Sequence, residues 1–505
     1  MPPEADARAW RAALLIIGAA ALVRLVFATL VPLVPDETYY WDWSRRLAGG
    51  YFDHPPMIAV LVRGGTAMGD LLGMRPSSFL IRLLPIVAGA FASLATIAIA
   101  RRLGDARAAR TAAVVFSLMP LAATGLVLAT PDAPLLAASA GGLYAVVRAF
   151  DSPPRSSASL LWWCAAGVAL GLAFASKYTS ILLPVAITAA MLLRPSLRAR
   201  LREPGPYVAC LVATLVFLPV LRWNAAHDWI SFRFQIQHGL GTPKGSAIKR
   251  ELDLLGGQLG LVSPIVFVMM AHAVWRAARR PRTDAEFALA IVATLSWLFF
   301  VYSALRRSVE PNWPAPSYIP GVVLLAVTAA SAARDRWMQR GVALAGVLVA
   351  AVYLLVLVPL IPARKDPIAR GAGWGEVAAR VAEARQRVGG RAFVGADRYQ
   401  DVAELAYQLP DHPLALCMCL GGRHNQYELW PTFPAVAHPG DALVLAVDDT
   451  PDNVMHGTVA RLDPYFGRVI RGAIAAQRRG MDTVSVRRIW VLEGYRGGWP
   501  ARSDP

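Results

Sequence analysis

Two short polar stretches near the N-terminus hold the residue types that can do chemistry. Val34-Pro35-Asp36-Glu37-Thr38-Tyr39-Tyr40-Trp41 follows the first apolar segment, and Gly50-Tyr51-Phe52-Asp53-His54-Pro55-Pro56-Met57 comes soon after it. Adjacent acids beside lipid are costly to keep. A carboxylate at such a boundary can act as a general base or position a cation. The same Asp36-Glu37 pair also suits the first turn of an amphipathic helix over 36–48. Tyr39, Tyr40, Trp43 and Leu47 would then lie on one side, and Asp42, Arg45 and Arg46 on another. The two readings are compatible. Asp53-His54 is held rigid by Pro55-Pro56. It could bind a phosphate through the imidazole, bind a divalent metal through both side chains, or cap a turn.

Further along, Thr130-Pro131-Asp132-Ala133 places an acid in a very short connection between two apolar segments. Asp132 can serve chemistry there or start the next helix. Four cations stand on the same predicted face. Lys177 lies in the turn Ala175-Ser176-Lys177-Tyr178, Arg82 at one end of an apolar segment, and Arg306 and Arg307 before Glu310-Pro311-Asn312-Trp313-Pro314-Ala315-Pro316. Snorkelling to headgroups explains one such residue. Several together point to an anionic ligand such as a lipid phosphate.

The elements that must position these groups are membrane helices. The chain has 505 residues, of which 56% are hydrophobic and 17% charged, with mean hydropathy +0.43. Crossing a bilayer takes roughly 20 apolar residues. Eleven such stretches are read at 10–34, 78–101, 107–129, 132–150, 159–176, 178–194, 205–224, 252–275, 285–305, 314–333 and 340–362. The net charge of +17 does not indicate nucleic acid. It gathers in alternate loops, as in Arg101, Arg102, Arg107 and Arg110, then Arg194, Arg198, Arg200 and Arg202, then Arg276, Arg279, Arg280 and Arg282. That is the positive-inside pattern. It puts the N-terminus in the cytoplasm, and the acidic loops and the residues after the last span outside. The first segment carries Arg24 and reads as a retained helix, not a cleaved signal.

The expected organisation is an all-α polytopic membrane domain, 1–362, and a small α/β extracytoplasmic domain, 363–505. The polar, proline-marked exit Ile361-Pro362-Ala363-Arg364-Lys365-Asp366-Pro367 separates them. In the second part, helices are read at 374–388 and 398–409, and strands at 392–395, 442–447 and 484–492. No phosphate-binding glycine loop occurs, so no nucleotide site is expected. Cys164 and Cys210 read as small hydrophobes. Cys417 and Cys419, two apart, read as a poor disulfide and an incomplete zinc site, and no role is assigned to them.

Taken together, these motifs resemble the GT-C glycosyltransferases, above all the protein O-mannosyltransferases and the bacterial aminoarabinose and galacturonic acid transferases that modify lipopolysaccharide. The Asp36-Glu37 pair in the first outer loop, Tyr51-Phe52-Asp53-His54-Pro55-Pro56, Arg82-Leu83-Leu84-Pro85, Thr130-Pro131-Asp132-Ala133, Ser176-Lys177-Tyr178 and Asn312-Trp313-Pro314-Ala315-Pro316 match in order. The resemblance covers 1–362 and leaves the tail largely unmatched. It implies an inverting transfer of one hexosyl or pentosyl unit from a polyprenyl-phosphate donor to a glycolipid or protein acceptor. The site would face the periplasm, across the bacterial inner membrane. Asp36, with Glu37 and Asp132, would form the catalytic set. Lys177, Arg82 and His54 would hold the donor phosphate. Tyr39, Tyr40, Arg307, Trp313 and Arg423 would contact acceptor or sugar. No cofactor is required, although Asp53-His54, standing where the aminoarabinose transferases have Glu-Lys, could hold a divalent metal.

Arg423 belongs to Gly421-Gly422-Arg423-His424-Asn425-Gln426-Tyr427-Glu428-Leu429-Trp430, which has the residue types that hold sugars and equally those of an ordered covering loop. Two rival functions use similar lipids. A transporter or flippase should show internal repeats and polar midplane residues, and only Arg24 is plainly buried in a helix here. A ligase or polymerase should carry its chemistry in a large late outer loop.

Overall fold

The computed structural model describes residues 3–243, 245–330, 336–366, 368–450 and 457–503. The end of the expected 314–333 helix and Pro367 of the expected exit lie outside the described residues. Two compact units form: residues 1–29 with 47–354, and residues 30–46 with 355–505.

The first unit is helical, and each of the eleven expected stretches holds helix. Among the described residues, seven single helices are long and apolar enough to cross a bilayer: Pro3–Leu30, Ser78–Leu103, Asp132–Asp151, Ser157–Phe174, Gly205–Ala226, Asp284–Arg306 and Arg336–Leu357. Two more stretches are bent pairs. Tyr178–Leu193 meets Pro195–Arg202 at 110°, and Ala247–Val262 meets Pro264–Arg279 at 100°. Each bend sits at a proline, which cannot donate to the preceding turn. The 107–129 stretch divides for the same reason into Ala106–Leu118 and Pro120–Gly125. Ala315–Ala330 is helical but short. The chain is thus a multi-pass membrane protein.

Small residues let these helices approach closely, as helices in lipid require. Gly171 faces the Gly205–Ala226 helix so tightly that a Cβ there would lie 2.5 Å from the Val216 Cβ and 2.8 Å from the Ala213 carbonyl oxygen. The core beneath is rich in alanine, including Ala109, Ala113, Ala140, Ala166, Ala186 and Ala290.

The second unit holds a five-stranded sheet in the order β2-β1-β3-β5-β4. The strands are β1 (Ala392–Ala396), β2 (Leu416–Cys417), β3 (Ala442–Asp448), β4 (Phe466–Arg479) and β5 (Asp482–Tyr495). β1 runs parallel to β2 and β3, and β5 runs antiparallel to β3 and β4. Helices Trp374–Gln386 and Tyr399–Gln408 match the expected ones. Arg487 and Asp401, each 3% exposed, form a bidentate pair at 2.9 and 3.0 Å that ties β5 to the Tyr399–Gln408 helix. Cys417 and Cys419 are joined by a disulfide, which corrects the expectation that they are too close. Cys419 has φ +49°, turning the chain back so that the Cα atoms stand 5.2 Å apart, within bridging range.

Candidate functional site

In the first unit the site grows from two helix junctions. Asp132 opens the Asp132–Asp151 helix, where an acid complements the helix dipole. Lys177 lies between Ser157–Phe174 and the turn Tyr178–Ile181. Lys177 Nζ donates to Asp132 Oδ1 at 2.8 Å. Both side chains are largely buried, at 8% and 12% exposure. Asn312 Nδ2 donates to Asp132 Oδ2, which orients the carboxylate from its other oxygen. The ammonium carries three donors, only one of which is used on Asp132.

The Asp53-His54 loop is tied to the same turn, since the Met57 N–H donates to the Ala175 carbonyl at 3.0 Å. The Tyr51 N–H donates to the His54 carbonyl at 3.2 Å, and Gln235 Nε2 donates to the Asp53 carbonyl at 2.5 Å. Aromatic rings continue from this loop. Phe52 meets Phe234 at 4.8 Å, Phe234 stacks on His238 at 5.6 Å, and His238 meets Trp313 at 5.4 Å. Among the described residues no group of three or more His, Cys, Asp or Glu could hold a metal ion, so Asp53 and His54 offer two ligands at most. Arg82 is fully buried and donates to the Ala28 carbonyl at 3.3 Å, joining two helices. Arg307 reaches the Thr242 carbonyl at 3.4 Å.

In the second unit the site is the start of the Pro35–Ser44 helix. Pro35 occupies its first position, and Glu37, fully buried, accepts the Val34 N–H at 3.0 Å. Glu37 therefore secures the helix start. Asp36 points to the exposed side. The protein walls around it still displace water, and that desolvation raises its pKa from the ordinary carboxylate value. Glu37 adds to the rise, while Arg423, Arg370 and a hydrogen bond with Tyr399 oppose it. Arg423 donates to the Tyr399 hydroxyl at 3.3 Å and lies 5.6 Å from its ring centroid. The Gly421–Trp430 segment thus meets the Asp36 helix. The Gln426 N–H donates to the Tyr39 hydroxyl at 2.7 Å, and the Tyr427 hydroxyl donates to Asp42 at 2.9 Å. Tyr39 and Tyr40 are buried in an aromatic cluster with Trp43, to which Tyr399 and Tyr427 add. They form the wall behind Asp36.

Several participants were not singled out from the sequence. Asn312 stood in a recognised box, but nothing in its spacing ties it to Asp132. Tyr399, Arg370 and Glu404 lie hundreds of residues from Asp36 and carry no local signal. Glu404 is fully buried and accepts from Thr38 Oγ1 at 3.3 Å. Burial holds its pKa well above the usual carboxylate range. Hydrogen bonds from Gln408 and Thr38 oppose this, and Asp401 and Glu37 reinforce it.

A fold of bent and straight membrane helices, with an ion pair at two helix ends, defines a class. The chain is similar to the GT-C glycosyltransferases, the type that includes the protein O-mannosyltransferases and the lipid A sugar transferases. Residues 53–223 match the dolichyl-phosphate-mannose-protein mannosyltransferase family, a stretch that contains Asp53, His54, Arg82, Asp132 and Lys177. The lipid A galacturonosyltransferase RgtD of Rhizobium johnstonii is 29% identical over 406 residues, covering 79% of this chain and 83% of that protein. The apo structure of ArnT from Cupriavidus metallidurans aligns with TM-score 0.68 and 18% identity, over 96% of this chain and 98% of that one. The same protein bound to undecaprenyl phosphate aligns with TM-score 0.65 and 16% identity, over the same shares of the two chains.

Proposed function

We propose that this protein transfers one hexosyl unit from a polyprenyl-phosphate donor to lipid A or a similar glycolipid, at the periplasmic face of the inner membrane. The observation that carries this reading is the buried Lys177–Asp132 pair inside the family-matched stretch, oriented by Asn312 from beyond it. In the transfer an acceptor hydroxyl oxygen forms a bond to the anomeric carbon. The bond from that carbon to the phosphate oxygen breaks, and polyprenyl phosphate leaves with the electron pair. Negative charge grows on the phosphate as it departs, and a preorganised cation stabilises that growth. Lys177 is suited to this because Asp132 holds its ammonium in place while two donors stay available. Asp36 takes the acceptor proton, and its raised pKa makes it a better base than an ordinary carboxylate. Arg423 and Arg370, both exposed, favour an acceptor that carries negative charge.

A hexosyl unit and a lipid A acceptor are favoured by the galacturonosyltransferase relative. Placement outside the cytoplasm is favoured by the arginine-rich alternate loops and by the Cys417–Cys419 disulfide, because such bonds persist in oxidising compartments. The test is mass spectrometry of lipid A after incubation of the purified enzyme with polyprenyl-phosphate sugars. A gain of one sugar mass, with release of polyprenyl phosphate, is expected. No gain with any hexosyl donor would overturn the reading.

A further inference from the structure

Arg24 lies within the Pro3–Leu30 span and is 1% exposed. Among the described residues none of its three guanidinium nitrogens has a hydrogen-bond partner. A buried cation at membrane depth is retained where something pairs with it. Arg24 lines a cavity of about 390 Å³ between its own helix, Ala106–Leu118 and Arg336–Leu357. That volume lies within the range of small-ligand pockets. No acid lines it. Its other polar groups are the Ser117 hydroxyl, also without a partner, and Tyr353, whose hydroxyl donates to the Ala123 carbonyl at 2.7 Å. The rest of the wall is apolar, including Ala20, Val114, Leu118 and Val349. At the rim, Ala19 and Val23 are exposed on a helix whose apolar stretch is only 22% buried. The cavity therefore opens toward the hydrocarbon side.

An occupant that suits these walls has a compact anion at one end and hydrocarbon at the other. We infer that this cavity binds an anionic amphiphile, with its phosphate or carboxylate on Arg24 and Ser117 and its alkyl stem along Val114, Leu118 and Val349. The site is built from other residues than the Lys177 cluster and does not depend on the sugar-transfer reading. A neutral or zwitterionic lipid leaves the guanidinium without a net counter-charge. A free ion leaves the apolar wall uncovered.

The experiment uses the full chain in neutral detergent, with lipid retention read by native mass spectrometry. Dioleoyl phosphatidic acid is the probe, dioleoyl phosphatidylcholine the same-tail control, and inorganic phosphate the no-tail competitor. Wild-type protein should retain phosphatidic acid about tenfold better than phosphatidylcholine, an order typical of one added charge contact. Arg24→Gln should abolish the preference and Arg24→Lys should keep part of it. Leu118→Trp, which fills the cavity while leaving the cation, should also reduce retention. Should Arg24→Gln fail to fold, the wild-type preference and the Leu118→Trp variant decide the matter. Equal retention of the two lipids by wild type, undiminished retention by Leu118→Trp, or full displacement by inorganic phosphate would overturn the inference.

Discussion

Lys177 and Asp132 come from different helix junctions and meet at 2.8 Å, with Asn312 on the carboxylate's second oxygen. The pair is nearly dry, so its two members respond differently to substitution. Lys177→Ala removes the cation proposed to face the leaving phosphate. Losing one preorganised charge of this kind typically costs about 10²–10³ in kcat. Steady-state kinetics with a polyprenyl-phosphate donor should show that loss while the acceptor KM barely moves. Asp132→Asn leaves the ammonium buried without its counter-charge, a change that costs about 3–5 kcal/mol in comparable sites. Thermal unfolding in detergent should register Asp132→Asn more strongly than Lys177→Ala.

If Asp36 is the proposed base, it governs the acid limb of the pH profile. Its carboxyl must be ionised to accept a proton, and desolvation holds its pKa above the ordinary carboxylate value. Activity should therefore rise with pH through that raised value and fall away below it. Arg423 pulls the same pKa down. Arg423→Ala should move the acid limb to higher pH, and Asp36→Asn should lower kcat/KM by about 10²–10⁴. Profiles of kcat/KM against pH for the three proteins test both statements. An acid limb unmoved by Arg423→Ala would separate Arg423 from Asp36.

How far the sequence reveals these features depends on the range of the interaction. Apolar patterning found the long membrane helices of the first unit, because such a helix satisfies its own backbone and needs no distant partner, but it missed Met57–Leu71 and Ile230–Leu240. Lys177 and Asp132 were visible as charges in short turns. Their contact was not, since nothing local specifies which turns meet. β4 was missed for a related reason. Gly472-Ala473-Ile474-Ala475-Ala476-Gln477-Arg478-Arg479 favours helix by residue type, and pairing with β5 overrides that preference. The Cys417–Cys419 bond depends on one left-handed backbone angle, which spacing alone does not reveal.

Glu404 offers a test of the wall behind Asp36. Burial raises its pKa well above the usual carboxylate range, so its neutral form fits the site. Raised in the folded state, this group contributes stability that is fully present below its unfolded pKa and is lost as pH rises through its folded value. Glu404→Gln keeps the shape and removes the titration. The fall in melting temperature as pH rises above the ordinary carboxylate range should therefore be smaller for Glu404→Gln than for wild type. Glu404→Ala instead removes the acceptor for Thr38 and should cost about 1–3 kcal/mol.

The Cys417–Cys419 disulfide makes the compartment of the second unit testable. Cys164 and Cys210 are free thiols, and Cys417 and Cys419 are bonded. Denatured protein isolated from membranes under acid quench should therefore take up alkylating reagent at Cys164 and Cys210 only. Labelling at Cys417 and Cys419 should require prior reduction. Cells lacking periplasmic oxidation should yield protein labelled at all four positions. Labelling of Cys417 and Cys419 without reductant in wild-type cells would place the sheet unit in a reducing compartment. That result would remove one support for an extracytoplasmic acceptor, because an enzyme whose second unit faces the cytosol would meet nucleotide sugars and nascent lipid A instead.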